Sequence, residues 1–235
     1  IIPDSVKMIG ASAFSNCTNL TGIVIPKGVI SIGDRAFNNV SAAISFETGT
    51  LISTLGTGAF SYYKGTNLTI PSTLNQIGDR VFYGCTNLER IEVEQNSLAL
   101  VSESGVLYNK DMTTLIYYPV NKAGASYVVP NSVTNLFAYS FSQNKLETIT
   151  ISKNVTSIGA YSFSDTTAEI IFPTDSKLNI ITSLVFSNYK GTQIVLPSSV
   201  NSIGQGAFFT CQSLTSITID ENNESYKSID GVLYD

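Results

Sequence analysis

The chain has no histidine and no tryptophan, and its 235 residues include only three cysteines and two methionines. Without histidine there is no Ser-His-Asp or Cys-His catalysis and no histidine-containing metal site. Charge is also scarce. Asp, Glu, Lys and Arg make up 13% of the chain, about half the usual share, and the net charge is −5. No Lys/Arg run is present, so nucleic acid is not expected as a partner, because phosphate binding needs clustered cations. No apolar run reaches the roughly 18–20 residues of a membrane span. No signal-peptide pattern opens the chain: IIPDSV already lies inside patterned sequence, as IDGVLYD does at the other end, and a piece of a longer protein is expected.

What is abundant is apolar and small polar sequence. Apolar residues are 43% and aromatics 10%, enough for a sizeable core. Their order repeats. Phe14, Phe37, Phe60 and Phe82 are spaced 23, 23 and 22, and Phe141, Phe163, Phe186 and Phe208 are spaced 22, 23 and 22. Five residues before each stands Ile9, Ile32, Leu55, Ile77, Leu136, Ile158, Ile181 or Ile203. Eight residues before each stands Val6, Val29, Ile52, Leu74, Val133, Val155, Leu178 or Val200. Four residues before, six of the eight positions are Gly, with Phe137 and Thr182 as exceptions. An alternating run follows each Phe, as in Ile23-Val24-Ile25 or Ile217-Thr218-Ile219, and Pro closes most of them.

This pattern predicts a β-rich repeat solenoid with short parallel strands and few or no regular helices. No segment keeps a 3.6 period, and Gly and Pro recur too often for helices. One coil cannot bury its own apolar face, but stacked coils can, with Ile, Val and Phe in columns. GAFSYYKGTNLTIP at 58–71 returns as LVFSNYKGTQIVLP at 184–197, and Gly105-Val106-Leu107-Tyr108 returns 126 residues later as Gly231-Val232-Leu233-Tyr234. A duplicated block is therefore expected, 1–127 and 128–235, within one solenoid over 1–235 about 45–55 Å long. An inserted hairpin unit is placed at 94–127, its two strands flanking Asn109-Lys110-Asp111, and its second copy is expected to end in one lone, frayed strand.

The phrases IPDSVKMIGASAFSNCTNLTGIVIP, IPSTLNQIGDRVFYGCTNLERIEV and LPSSVNSIGQGAFFTCQSLTSITI resemble the BspA-type leucine-rich repeat, and the resemblance covers essentially the whole chain. It departs at Phe137 and in the shortened repeats after Phe37 and Phe163. The resemblance implies a right-handed leucine-rich-repeat superhelix. It also implies an extracellular or cell-surface protein associated with adhesion to host matrix proteins and other cells.

Cys17, Cys85 and Cys211 each follow a repeat Phe by three residues, where other repeats carry Val40, Tyr63 or Tyr189, and they read as small inward side chains. Cys17 and Cys85 would be three layers apart, about 14 Å, against the roughly 7 Å a disulfide allows. Asp220-Glu221-Asn222-Asn223-Glu224 lacks a calcium-loop pattern and reads as a solvated loop. No carboxylate pair stands out for glycosidase chemistry, since five or more layers would separate Glu92 from Glu169. No catalytic residue, metal or cofactor is expected. Asn16, Asn39 and Asn154 open Asn-X-Ser/Thr triplets of the kind such turns create by chance.

The remaining candidates are the outward strand positions. These are Gly22/Val24, Ala43/Ser45, Asn67/Thr69 and Arg90/Glu92, then Thr148/Thr150, Glu169/Ile171, Gln193/Val195 and Ser216/Thr218. In a solenoid they form one continuous face for a host or microbial surface protein or glycan. Exposed strands favour the same residue types without any partner, so that reading stands beside it. Tyr62, Tyr63, Tyr117 and Tyr118 are either interface anchors or column residues, and Tyr63 aligns with an inward slot. The expected role is a non-enzymatic, surface-exposed binding or adhesion module. The alternatives are a spacer or stalk, or an accessory region of a secreted enzyme. Exposed end coils leave the oligomeric state open.

Overall fold

The computed structural model describes all 235 residues, Ile1–Asp235. It contains only short β-strands joined by turns, with no helix. The expected β-solenoid is what is found. The chain divides into two compact units: Ile1–Asp111 with Tyr117–Lys122, and Met112–Ile116 with Ala123–Asp235.

In the first unit the strands Met8–Ile9, Ser31–Ile32, Thr54–Leu55 and Gln76–Ile77 form a parallel sheet in that order. The register puts Ile9 against Ile32, Ile32 against Leu55, and Leu55 against Ile77. The second unit repeats this through Leu115, Leu136, Ile158, Ile181 and Ile203. Each coil advances by a nearly constant residue count, so like side chains fall one above another. Six of the eight repeat phenylalanines are at most 3% exposed. Their rings stack. Phe14–Phe37 centroids are 5.2 Å apart and 1° from parallel, and Phe186–Phe208 are 5.3 Å apart at 9°. Phe14 and Phe208, each stacked on one repeat ring only, are half-buried. Tyr117 packs on Phe82 in the first unit, and Tyr127 packs on Phe141 in the second.

The recurring Gly-after-Ile answers a close approach between coils. A Cβ on Gly33 would lie 2.7 Å from the backbone nitrogen of Ala11 in the preceding coil. The turn around each Phe carries a feature the composition hides. The residues two before and two after every repeat Phe have positive φ. Among them are Ser12, Arg35, Tyr161, Leu184 and Thr210, at φ 53–63°. This zigzag turns alternate N–H groups along the stack. Arg35 donates to the Thr57 carbonyl, Phe37 to Ala59 and Asn39 to Ser61, at 2.8–2.9 Å. Each left-handed residue costs about 1–2 kcal/mol, offset here by a hydrogen bond to the next coil.

One expectation about the hairpins is extended and one needs correction. Val106–Asn109 and Thr114–Tyr117 flank the 110–113 turn as expected, and a further antiparallel hairpin joins Leu100–Glu103 to Val106–Asn109. Its turn is Ser104-Gly105, both with positive φ (52° and 81°). At the chain end Lys227–Ile229 pairs antiparallel with Val232–Tyr234, so the final strand has a partner. Asp230 and Gly231 make that turn, with φ 50° and 80°. Asp-Gly is a strong signal for such two-residue turns, because both positions need positive φ.

Candidate binding face

A second set of strands carries the outward candidates. Gly22–Ile25 pairs in parallel with Ala43–Phe46, and Asn67–Ile70 with Arg90–Val93. In the second unit Ser126–Val128, Thr148–Thr150 and Glu169–Ile171 form one parallel sheet, and Gln193–Leu196 pairs with Ser216–Ile219. Alternation decides which way each residue points. Ile23, Ile44, Leu68, Ile91, Ile149, Ile170 and Ile194 are buried. Gly22, Val24, Ala43, Ser45, Asn67, Thr69, Arg90, Glu92, Glu169, Ile171, Gln193 and Val195 are exposed. Thr148, Thr150, Ser216 and Thr218 are half-exposed.

The register assembles them into rows. Thr148 lies against Glu169, Thr150 against Ile171, and Val195 against Thr218. Val128, absent from the sequence-derived set, lies against Thr150 and is 66% exposed. With Ile171 and Val195 at 39% and 58%, this row of the second unit is β-branched from end to end. The matching row of the first unit is Val24, Ser45, Thr69 and Glu92, and is more polar. Arg90 Nε lies 3.6 Å from Glu92 Oε1 on the same strand, an exposed pair that contributes little.

The strand column is not continuous. In each unit the ladder stops between the second and third repeats: Ala43–Phe46 does not pair with Asn67–Ile70, nor Glu169–Ile171 with Gln193–Leu196. Repeat length alone does not explain the break. From Phe to the first inward strand residue the first unit counts nine for Phe14–Ile23 and seven for Phe37–Ile44, yet those two strands pair. The step from seven to eight, Phe37–Ile44 to Phe60–Leu68, is smaller, and there the ladder breaks. What distinguishes it is the slot three residues after Phe. Cys17, Val40, Cys85, Asn144, Thr166 and Cys211 occupy it elsewhere, but Tyr63 and Tyr189 occupy it at the breaks.

Both tyrosines are 1% exposed and pack edge-on against their own repeat rings, Phe60 at 6.3 Å and Phe186 at 5.9 Å. Their hydroxyls reach the backbone of the preceding coil. Tyr189 Oη donates to the Ala168 carbonyl at 2.7 Å, and Tyr63 Oη accepts the Ile44 N–H at 3.4 Å. Gly65 and Gly191 leave room for this, since a Cβ on either would lie 2.2 Å from the phenol oxygen. The Tyr-Lys-Gly-Thr phrase is thus a wedge that stands in for ladder hydrogen bonds. Burial pushes the Tyr189 phenol up to about 12, reinforced by the Glu169 charge.

Above Tyr189 the break opens a cleft of about 360 Å³. Glu147, Thr167, Glu169, Thr192, Gln193 and Val195 line it. The corresponding residues 126 positions earlier are Thr21, Ser41, Ala43, Thr66, Asn67 and Thr69, so the support is kept while both carboxylates are peculiar to the second unit.

The other candidates have structural roles. Cys85 is fully buried, and burial pushes its thiol up to about 12. Its Sγ donates to the Phe60 carbonyl, as the half-buried Cys211 does to Phe186. Cys17 is half-buried, and all three cysteines are free. Asp220 Oδ1 accepts both the backbone N–H and Nδ2 of Asn222, which lowers its carboxyl from the ordinary value. No three His, Cys, Asp or Glu side chains converge where a metal ion could sit. Tyr62 is 42% exposed beside Tyr83, while Tyr117 and Tyr118 are buried column residues.

Stacked coils with parallel strands, phenylalanine columns and an Ile-Gly turn define a leucine-rich-repeat solenoid. The BspA type leucine rich repeat region model matches residues 1–113 and 121–229, in six copies, and the chain belongs to that family. The crystal structure of the pneumococcal vaccine antigen PcpA is similar over 92% of this chain, with 29% identity and a TM-score of 0.82. A leucine-rich repeat protein from Eubacterium ventriosum is 28% identical over 91% of the chain, at TM-score 0.65. A leucine rich cell surface protein from Faecalibacterium prausnitzii shares the fold at 22% identity and TM-score 0.68, over 90% of the chain. The chain spans 55%, 57% and 62% of those three proteins. Comparison with curated proteins gives no match. No helix is long and apolar enough to cross a membrane.

Proposed function

We propose that this chain is a non-enzymatic, surface-exposed binding module that holds a macromolecular partner on its outward strand face. The observation that carries this reading is the row Val128, Thr150, Ile171, Val195 and Thr218, in which every side chain is β-branched and none is buried. A spacer needs only a uniformly polar exterior, whereas an exposed apolar row rimmed by polar residues is what an interface uses. The neighbouring row, with Ser126, Thr148, Glu169, Gln193 and Ser216, supplies such a rim. Display outside the cell is supported by the family and by the similarity to a vaccine antigen. No reaction is proposed: function here is a preformed surface making many weak contacts.

The test is a binding screen of the purified chain against matrix proteins, cell-surface proteins and glycans. Ile171→Asp with Val195→Asp places charge in the row, and Arg90→Ala with Glu92→Ala in the first unit serves as control. Saturable binding that the first pair abolishes is the expected result. No saturable binding to any member favours the stalk.

A further inference from the structure

We propose that the cleft over Tyr189 is a socket for one basic side chain, arginine or lysine, presented by a protein partner lying along the strand face. The inference rests on the reading of that face as a binding surface and names the chemistry its partner must carry. The first observation is charge. Glu147 and Glu169 both line one cleft, and the ion pairs Arg90–Glu92 and Lys153–Asp175 take neither of them. The nearby Lys190 directs its ammonium to Asn188 Oδ1.

The second observation is hydrogen-bond sense. Two carboxylates are acceptors only, and the Gln193 amide oxygen and the Thr167 and Thr192 hydroxyls add further acceptors. A guanidinium or ammonium is the complement, with donors only. The cleft lies where Glu169–Ile171 and Gln193–Leu196 are not paired with each other.

The third observation is the internal comparison. Tyr63 and Gly65 hold the same break open in the first unit, but Thr21 and Ala43 stand where Glu147 and Glu169 stand. The carboxylates are therefore not needed to break the ladder, and the break gives no structural reason for two acids to line this cleft. A divalent cation fits poorly, since Ca²⁺ takes six to eight oxygens and no such cluster exists here. A sugar would want an exposed aromatic platform, whereas the one ring at the cleft, Tyr189, is buried and Val195 is the apolar residue beside it. Val195 and Ile171 suit instead the alkyl stem or apolar neighbours of a basic residue.

The experiment titrates the isotope-labelled chain with N-acetyl-arginine methylamide and with its neutral citrulline counterpart, following backbone amide shifts. Saturable shifts at Glu169, Thr192 and Gln193 with the arginine probe alone are expected. Glu147→Thr with Glu169→Ala, which installs the first unit's residues at exposed positions, should weaken binding about tenfold or more, the loss of a charge-assisted contact. An unchanged amide spectrum elsewhere shows that the variant is folded. Equal response to citrulline, equal shifts at Ala43 and Asn67, shifts with N-acetylglucosamine instead, or no shifts would each overturn the proposal. If a whole partner is lost in the Ile171/Val195 variant but kept in the Glu147/Glu169 variant, the socket fails while the binding face stands.

Discussion

Tyr189 and Ala168 are 21 residues apart, and a 2.7 Å hydrogen bond joins the phenol of one to the carbonyl of the other where two strands should have paired. The ring passes beneath Gly191 to get there. Side chain, glycine and broken ladder form one device, and it can be tested as one.

Gly191→Ala should destabilise the protein by about 1–3 kcal/mol, because the added methyl meets the Tyr189 phenol and nothing rigid can yield cheaply. Tyr189→Val, the Val40 solution to the same slot, should cost the phenol's packing and hydrogen bond in an otherwise unchanged chain. Combined, the two changes should cost less than their sum, by about 0.5–3 kcal/mol in a double-mutant cycle. Urea midpoints measure all four corners. Strict additivity would mean that the tyrosine does not occupy the space the glycine clears.

Thr210 is β-branched and exposed and sits at φ 56°. Thr210→Gly should raise stability by about 1 kcal/mol by releasing left-handed strain, while Thr210→Ala should give no such gain. A fall in the thermal midpoint with Gly would show that the strained turn is not the state the chain adopts.

Alkali should unfold the protein early. The Cys85 thiol and the Tyr189 phenol are raised by burial to about 12 from ordinary values of 9.0 and 10.0. Both are held neutral when folded, so above pH 9 the unfolded chain sheds its protons first. Their contribution is complete below pH 9 and declines as the pH climbs toward about 12. The urea midpoint should drop over that window, less steeply in Cys85→Ala and in Tyr189→Phe. A flat profile in the parent, or equal slopes in all three proteins, would contradict this.

The columns were legible because they obey one period. Phe37, Ile32 and Val29 sit at fixed offsets in every coil, and that spacing alone makes them core. The left-handed positions were not legible. Arg35, Tyr161 and Leu184 share no chemistry, because the hydrogen bonds to the next coil, not the side chain, select the backbone there. Asp230-Gly231 did carry a turn signal, and it marks the strand pair that closes the chain. The outward set followed from strict alternation, which is why Glu147 escaped it: that residue precedes its strand and enters the cleft only because the ladder breaks. The break cannot be counted out of repeat lengths, since a larger mismatch at Phe14–Ile23 is tolerated.

The wedge lies behind the sheet, and the residues that line the opening lie in front of it. Mutation in front therefore carries little folding cost, while the architecture behind is inherited intact. Two such blocks in one chain share a frame while the residues at their openings differ, as Thr21 and Glu147 do. Novelty of recognition then needs no new fold, only a handful of codons facing outward.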